Sequence, residues 1–266
     1  MHGRAATQVA VAGSAALVGI PKGTIMNIIE RTFSVVSPAD ETVPGVVWSP
    51  AENPVGALIL AGHPAGFDKS FPPHVARAHA LVRQGFHVAT IDAPGQGERP
   101  RTPEDAARVA AFQEARGVGD QPLFNQLLGE YTTSVVERAV PEWQATLDAL
   151  LALLELEDDA PVGYLGITMA CAIGIGLIAA EPRITAAVLG TVSAHDGLLT
   201  AASKADIPVE FLLPLDDQDL PREVGFAVFD AFASTEKVLL GFPGHHRQIP
   251  ADGRLETGFF ARQLKR

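Results

Sequence analysis

From Ile28 onward the apolar residues fall into two recurring patterns, short unbroken runs and longer stretches with helical spacing. Residues 32–36 and 45–49 are β-branched and separated by a Pro/Asp/Glu turn, which predicts an opening antiparallel hairpin. Residues 57–61, Ala-Leu-Ile-Leu-Ala, are apolar throughout, as in a strand covered on both faces. Residues 73–84 put Val75, Ala78, Leu81 and Val82 on one helical face, with Gly85 as the stop. Residues 86–91 then read as a second buried strand. Strand, helix and strand in that order make a βαβ crossover, which implies parallel pairing. The rhythm returns with a helix at 132–156, a strand at 162–165, a helix at 169–180 and a strand at 186–189. A strand at 209–213, a helix at 223–232, a strand at 237–240 and a helix at 255–264 complete it. Pro141 is expected to kink or split the first of these helices.

Two segments depart from the pattern. Residues 98–131 carry Pro100, Pro103, Pro122 and many charges, with helical pieces around 105–116 and no core strand. They are expected to form a small lid-like insertion, and the apolar Phe112, Leu123, Phe124 and Leu127 suggest a largely hydrophobic pocket cover. Residues 1–27 are expected to be an N-terminal arm that packs on the domain or on a second copy, with 28–266 the main domain. The apolar stretch 5–20 behind Arg4 has some look of a signal peptide, but Thr7, Gln8, Gly13 and Ser14 dilute it. It is also too short and interrupted to span a bilayer.

Composition narrows the function classes. The chain has 266 residues, 20 Lys plus Arg against 31 Asp plus Glu, and one Cys. A net charge of −11 disfavours nucleic acid or an anionic membrane as partner. The lone Cys171 excludes an internal disulfide and a Cys-based zinc cluster, and it is read as buried packing. A cytoplasmic α/β protein acting on a small molecule is the expectation, with a homodimer possible through the apolar arm.

The most informative string is Gly-Tyr-Leu-Gly-Ile-Thr-Met-Ala, 163–170, between an apolar strand and an apolar helix. A nucleophile elbow needs small residues two before and two after the reactive side chain, because the strand-to-helix turn is sharp. Gly166 and Ala170 flank Thr168 in that way, so Thr stands where Ser is usual and Ala where the second Gly is usual.

With this string the chain resembles α/β-hydrolase-fold proteins of the bacterial dienelactone-hydrolase and esterase-like kind, over 28–264. Leu-Ile-Leu-Ala-Gly-His-Pro-Ala-Gly (58–66) is similar to that superfamily's first buried strand and His-Gly-Gly oxyanion loop. Ile-Asp-Ala-Pro-Gly-Gln-Gly-Glu-Arg (91–99) is similar to its second hallmark turn. Residues 213–221 and 242–246 fall where its acid and His stand, in the order nucleophile, acid, His. The resemblance implies an α/β-hydrolase fold, a mostly parallel sheet with helices on both faces, and a Thr-His-Asp triad.

The resemblance selects Asp217 as the acid, with Asp216 second and Asp219 read as a solvated turn. It selects His246 as the base, with His245 as a neighbour or substrate contact. The oxyanion donors would be the N–H groups of Met169 and Ala65, since Pro64 has none to give. His63 is expected to be a structural hydrogen-bonding residue. Three functions follow: hydrolysis of an ester, lactone or thioester; non-hydrolytic lyase, isomerase, epimerase or cyclase chemistry with the His-Asp pair as general base; and a catalytically silent binding protein. None needs a metal or organic cofactor. Other histidines carry weaker signals. His74 and His79 lie five apart, off paired-ligand spacing, and are expected on a solvent face; His87 is expected at core or edge. His195 and Asp196 are expected in a loop turn near a substrate pocket. Gly95 and Gly97 resemble a phosphate loop only distantly, with no Lys-Ser/Thr after them.

Overall fold

The computed structural model describes residues 9–12, 27–246 and 258–265. The opening hairpin is β2 (Ile28–Val36) and β3 (Thr42–Pro50), paired antiparallel and longer than its β-branched centres. Strand β1 (Val9–Ala12) adds antiparallel to the outer edge of β2, so part of the N-terminal arm is an edge strand. The rest of that arm, and with it the signal-like stretch, lies outside the described residues.

Six further strands are β4 (Leu58–Gly62), β5 (His87–Ile91), β6 (Val162–Ile167), β7 (Ile184–Gly190), β8 (Val209–Pro214) and β9 (Lys237–Phe242). They pair in parallel, and the described sheet runs β1-β2-β3-β5-β4-β6-β7-β8-β9. Strand β5 lies on one side of β4 and β6 on the other. The order therefore reverses at β4, and in open α/β sheets ligands bind outside the carboxyl ends of the strands at such a reversal, here β4 and β6.

Alternation along the buried strands divides the core into two layers. Leu58 and Leu60 of β4 and Tyr164 of β6 face α3 (Gln121–Leu153) and α4 (Met169–Ala180). Ile59, Ala61 and Leu165 face α1 (Pro72–Val82) and α7 (Phe259–Leu264). Helices α2 (Pro103–Gly117), α5 (Asp196–Ala202) and α6 (Arg222–Ala231) complete the first layer. The last helix starts at Phe259; of its expected start, 255–257 lie outside the described residues.

Three expectations are corrected. Pro141 does not split its helix: α3 runs on through it and begins at Gln121, so the insertion 98–131 consists of α2 and the first turns of α3. The carbonyl left without a donor by the proline is that of Glu137, four residues earlier, at an exposed position. His74 is not on a solvent face, because α1 buries His74, Ala78, Leu81 and Val82 as one stripe. Its Nε2 meets Thr90 Oγ1 on β5 at 3.0 Å, and burial pushes the imidazole down to about 3, so it stays neutral. His79 is only half-buried, edge-on to Trp48 at 5.6 Å. His195 is no plain loop turn: its Nδ1 accepts the Leu198 N–H at 3.3 Å and so caps α5.

Candidate active site

The strand-to-helix junction at the end of β6 is built by steric necessity. A Cβ on Gly166 would lie 2.3 Å from the Ala170 carbonyl oxygen and 2.6 Å from the Tyr164 ring. Behind it the fully buried Tyr164 donates its hydroxyl to that same carbonyl at 2.8 Å. Burial raises the Tyr164 hydroxyl well above its ordinary value, so it remains a donor. With small residues on both flanks the chain turns within one residue, and Thr168 takes φ 59° and ψ −118°. That backbone is strained for any side chain and more so for a β-branched one, at a cost of about 1–3 kcal/mol. The strain is held in place from both sides. The Thr168 N–H donates to the carbonyls of Gly190 and Thr191 at 2.9 and 3.1 Å, and its carbonyl accepts from Cys171 N–H at 2.9 Å. Cys171 itself is buried and its thiol is pushed up to about 12 by burial, so it packs rather than reacts.

The loops after β8 and β9 bring the acid and base candidates together. Asp217 Oδ2 accepts from the backbone N–H of His246 at 2.7 Å and faces its Nδ1 at 2.6 Å. Its Oδ1 accepts the N–H groups of Asp219 and Leu220 at 2.9 and 3.1 Å. The side chain is fully enclosed, while that of His246 keeps 13 % exposure. Burial alone would raise the Asp217 carboxyl; the hydrogen bonds from His246 and Leu220 outweigh it and hold it below its ordinary value. Asp217 is therefore the charged partner of the ring. Asp216 acts elsewhere. Its Oδ2 accepts Gly244 N–H at 2.9 Å, and its own N–H bonds the Gly244 carbonyl, tying the two loops. His245 stacks on His246 at 4.5 Å with planes 18° apart.

Asp217, His245 and His246 bring one donor atom each within 4.8 Å of one another. Both oxygens of Asp217 are already engaged by four hydrogen bonds, so these groups form a hydrogen-bonded pair with a stacked neighbour. Asp219, expected in a solvated turn, is partly exposed and carries an ion pair there: Nη2 of Arg116 on α2 lies 2.8 Å from both its oxygens.

The loop after β4 carries the oxyanion candidate. His63 is buried; its Nε2 accepts the Ala93 N–H at 3.0 Å, which leaves Nδ1–H to donate to the Pro64 carbonyl at 3.0 Å. Burial lowers the imidazole from its ordinary value, and both nitrogens are used in joining the loops after β4 and β5. Ala65 is exposed at the tip, and Gly66 N–H donates to Gln96 Oε1 at 2.9 Å. Met169 opens α4, so its N–H belongs to the first turn, which lacks intrahelical partners. Gln96 also reaches the Tyr131 hydroxyl on α3 at 3.4 Å. Thus the helical cover, the oxyanion-loop candidate and the 91–99 turn are joined.

That turn hides an acid that sequence reasoning passed over. Asp92 is buried and accepts Lys69 N–H and Nζ and Glu98 N–H, at 3.0, 2.8 and 3.0 Å. A Cβ on Gly97, where φ is +59°, would sit 2.3 Å from the carboxylate carbon, so this glycine serves close approach to Asp92. Arg99 then pairs with Glu142 of α3 through two bonds of 2.7 Å. Lys69 lies 23 residues from Asp92, and Arg99 lies 43 from Glu142, so neither pair leaves a local sequence signal. The single clue is charge within an apolar turn. Of the expected pocket cover, Phe112 is buried edge-on to Phe124 at 6.2 Å, whereas Leu123 is exposed.

No family model matches the chain, and no curated protein matches it. Solved structures do. A cold-adapted esterase from an Arctic intertidal metagenomic library, bound to PEG, is 27 % identical with a TM-score of 0.73, covering 94 % of this chain and 100 % of that one. Acetyl xylan esterase 1 from Thermoanaerobacterium sp. JW/SL YS485 is 13 % identical with a TM-score of 0.66, covering 97 % and 88 %. An esterase of Pyrococcus furiosus, Pf2001, is 11 % identical with a TM-score of 0.66, covering 88 % and 93 %. The chain has the α/β-hydrolase fold. No described helix is long and apolar enough to cross a membrane.

Proposed function

We propose that this protein hydrolyses ester, lactone or thioester bonds of a small, largely hydrophobic substrate, with Thr168 as nucleophile, His246 as base and Asp217 as the group that orients the base. The observation carrying this reading is the Asp217–His246 contact of 2.6 Å on the strand-end rim that also bears Thr168 in its strained turn. Esterase neighbours support the reaction class.

In this mechanism the Thr168 hydroxyl oxygen attacks the carbonyl carbon and its proton passes to Nε2 of His246. Asp217, already bonded to Nδ1, holds the ring in the tautomer that leaves Nε2 able to accept. Negative charge gathers on the carbonyl oxygen, toward which the Met169 and Ala65 N–H groups would donate. The imidazolium gives its proton to the leaving alcohol or thiol, and the carbon–heteroatom bond breaks. Water then repeats the sequence on the threonyl ester, releasing the acid and restoring Thr168.

One observation favours a second reading. A β-branched residue at φ 59° has its χ1 restricted, and a hydroxyl turned from the base would leave Asp217 and His246 as a general base for lyase, isomerase, epimerase or cyclase chemistry. Turnover of p-nitrophenyl acetate and butyrate by the wild type, Thr168→Ala, Thr168→Ser and His246→Ala separates the two. The hydrolase reading expects wild-type turnover, a loss of about 10³-fold or more in Thr168→Ala and His246→Ala, and retained or raised activity in Thr168→Ser. Activity confined to Thr168→Ser would move the natural chain to proton-transfer chemistry.

A further inference from the structure

Asp219 stands where the acid loop meets the helical cover. Arg116, in the last turn of α2, places Nη2 2.8 Å from each of its carboxylate oxygens. The same guanidinium lies 5.9 Å from the centre of the Phe124 ring on α3. Asp219 is two residues past Asp217, and its N–H donates to Asp217 Oδ1 at 2.9 Å, next to that of Leu220 at 3.1 Å. Its Oδ2 also lies 4.0 Å from Nε2 of His245, whose ring stacks on His246. One residue thus links the cover helix, the hydrogen bonds that cradle the acid, and the ring lying against the base.

We propose that Arg116 and Asp219 are positioning residues: their ion pair fixes the turn 217–220 against α2 and so sets the aim of Asp217 and, through it, of His246. This rests on the hydrolase reading above. The side chains of Arg116 and Asp219 keep 42 % and 32 % exposure, and pairs as open as this contribute little to folding. Their effect lies in geometry. A displacement of about 1 Å at a reacting group can cost about 10²-fold in rate. Asp216 keeps its bonds to Gly244 when the pair is cut, so the two loops stay joined while the 217–220 turn is released. A single nitrogen, Nη2, reaches both oxygens while the guanidinium lies over the Phe124 ring, so a lysine ammonium would keep the charge but not the planar group's contact with that ring.

The test uses the full chain with Arg116→Ala, Asp219→Asn, Arg116→Lys and the reversed pair Arg116→Asp with Asp219→Arg. Ester turnover is read as kcat and KM separately, beside thermal unfolding and amide exchange at Asp219 and Leu220. We expect kcat to fall about 10- to 100-fold in the single Ala and Asn variants, KM to stay within about threefold and Tm to be nearly unchanged. The reversed pair recovers most of the lost kcat, and Arg116→Lys recovers less. The Asp219 and Leu220 amides exchange about tenfold faster in Arg116→Ala, since local opening of that turn is eased. Unchanged kcat in both single variants, or a rise in KM alone, overturns the proposal. Absence of ester turnover by the wild type overturns the hydrolase reading instead; exchange then decides the coupling, and equal rates in wild type and Arg116→Ala overturn it.

Discussion

The two halves of the candidate site are held by different physics. At the elbow, Gly166, Ala170, Tyr164 and Gly174 interlock in a buried interior, and the strained Thr168 conformation follows from shape. At the acid and base, there is little such interlocking. Asp217 and His246 are fixed by directed hydrogen bonds on loops whose members remain partly exposed. Steric confinement tolerates no added atom but needs no particular charge. Hydrogen-bonded positioning tolerates small volume changes but fails when one acceptor becomes a donor.

The sharpest way to break the contrast is Gly166→Ala. Its methyl would meet backbone, which cannot swing aside like the end of a flexible side chain, so stability should fall by about 3 kcal/mol or more with loss of activity. Urea denaturation measures this, and a change under about 1 kcal/mol would show that the elbow is not sterically determined. Asp217→Asn tests the other half. The carboxamide offers one accepting oxygen where four hydrogen bonds need two. The folded protein should remain, while kcat for ester hydrolysis falls about 10³- to 10⁴-fold because the ring loses its orienting charge.

The smallest effect belongs to a group that is part of neither half. His74 has a folded-state value of about 3 against an ordinary 6.5, so the unfolded chain takes up its proton first as pH falls. Its contribution to stability is therefore lost below pH 6.5, at a slope of up to about 1.4 kcal/mol per unit. Comparing urea midpoints at about pH 7, 6 and 5, His74→Gln should show a shallower decline than the wild type. Equal slopes would mean that His74 protonates freely in the folded state.

Much of this was legible in the chain. Continuous apolar runs at residues 57–61 and 162–165 identified strands buried on both faces, their shortness separating them from an all-apolar buried helix such as α4. Helix α4 was readable to its ends, bounded by Thr168 and Glu181. Where the pattern failed, a tertiary contact had taken over. Within 98–131 the helical pieces read around 105–116 are α2, but the charges hid the start of α3, because that cover is amphipathic and partly exposed. His74 looked solvent-facing because a polar residue in a helix reads as surface until a specific partner, here Thr90, lies opposite.

For the site, the sequence by itself determined the small residues flanking Thr168 and the order of Thr168, Asp217 and His246 along the chain. Only the tertiary structure shows what each of the acidic residues at 216, 217 and 219 holds. Each has the same carboxylate, and their roles differ by which N–H groups and cations the fold carries to them: Gly244 for Asp216, His246 for Asp217 and Arg116 for Asp219. Local spacing is written in the chain because sterics act between neighbours. Long-range pairing is not, because hydrogen-bond direction and burial exist only after distant segments meet.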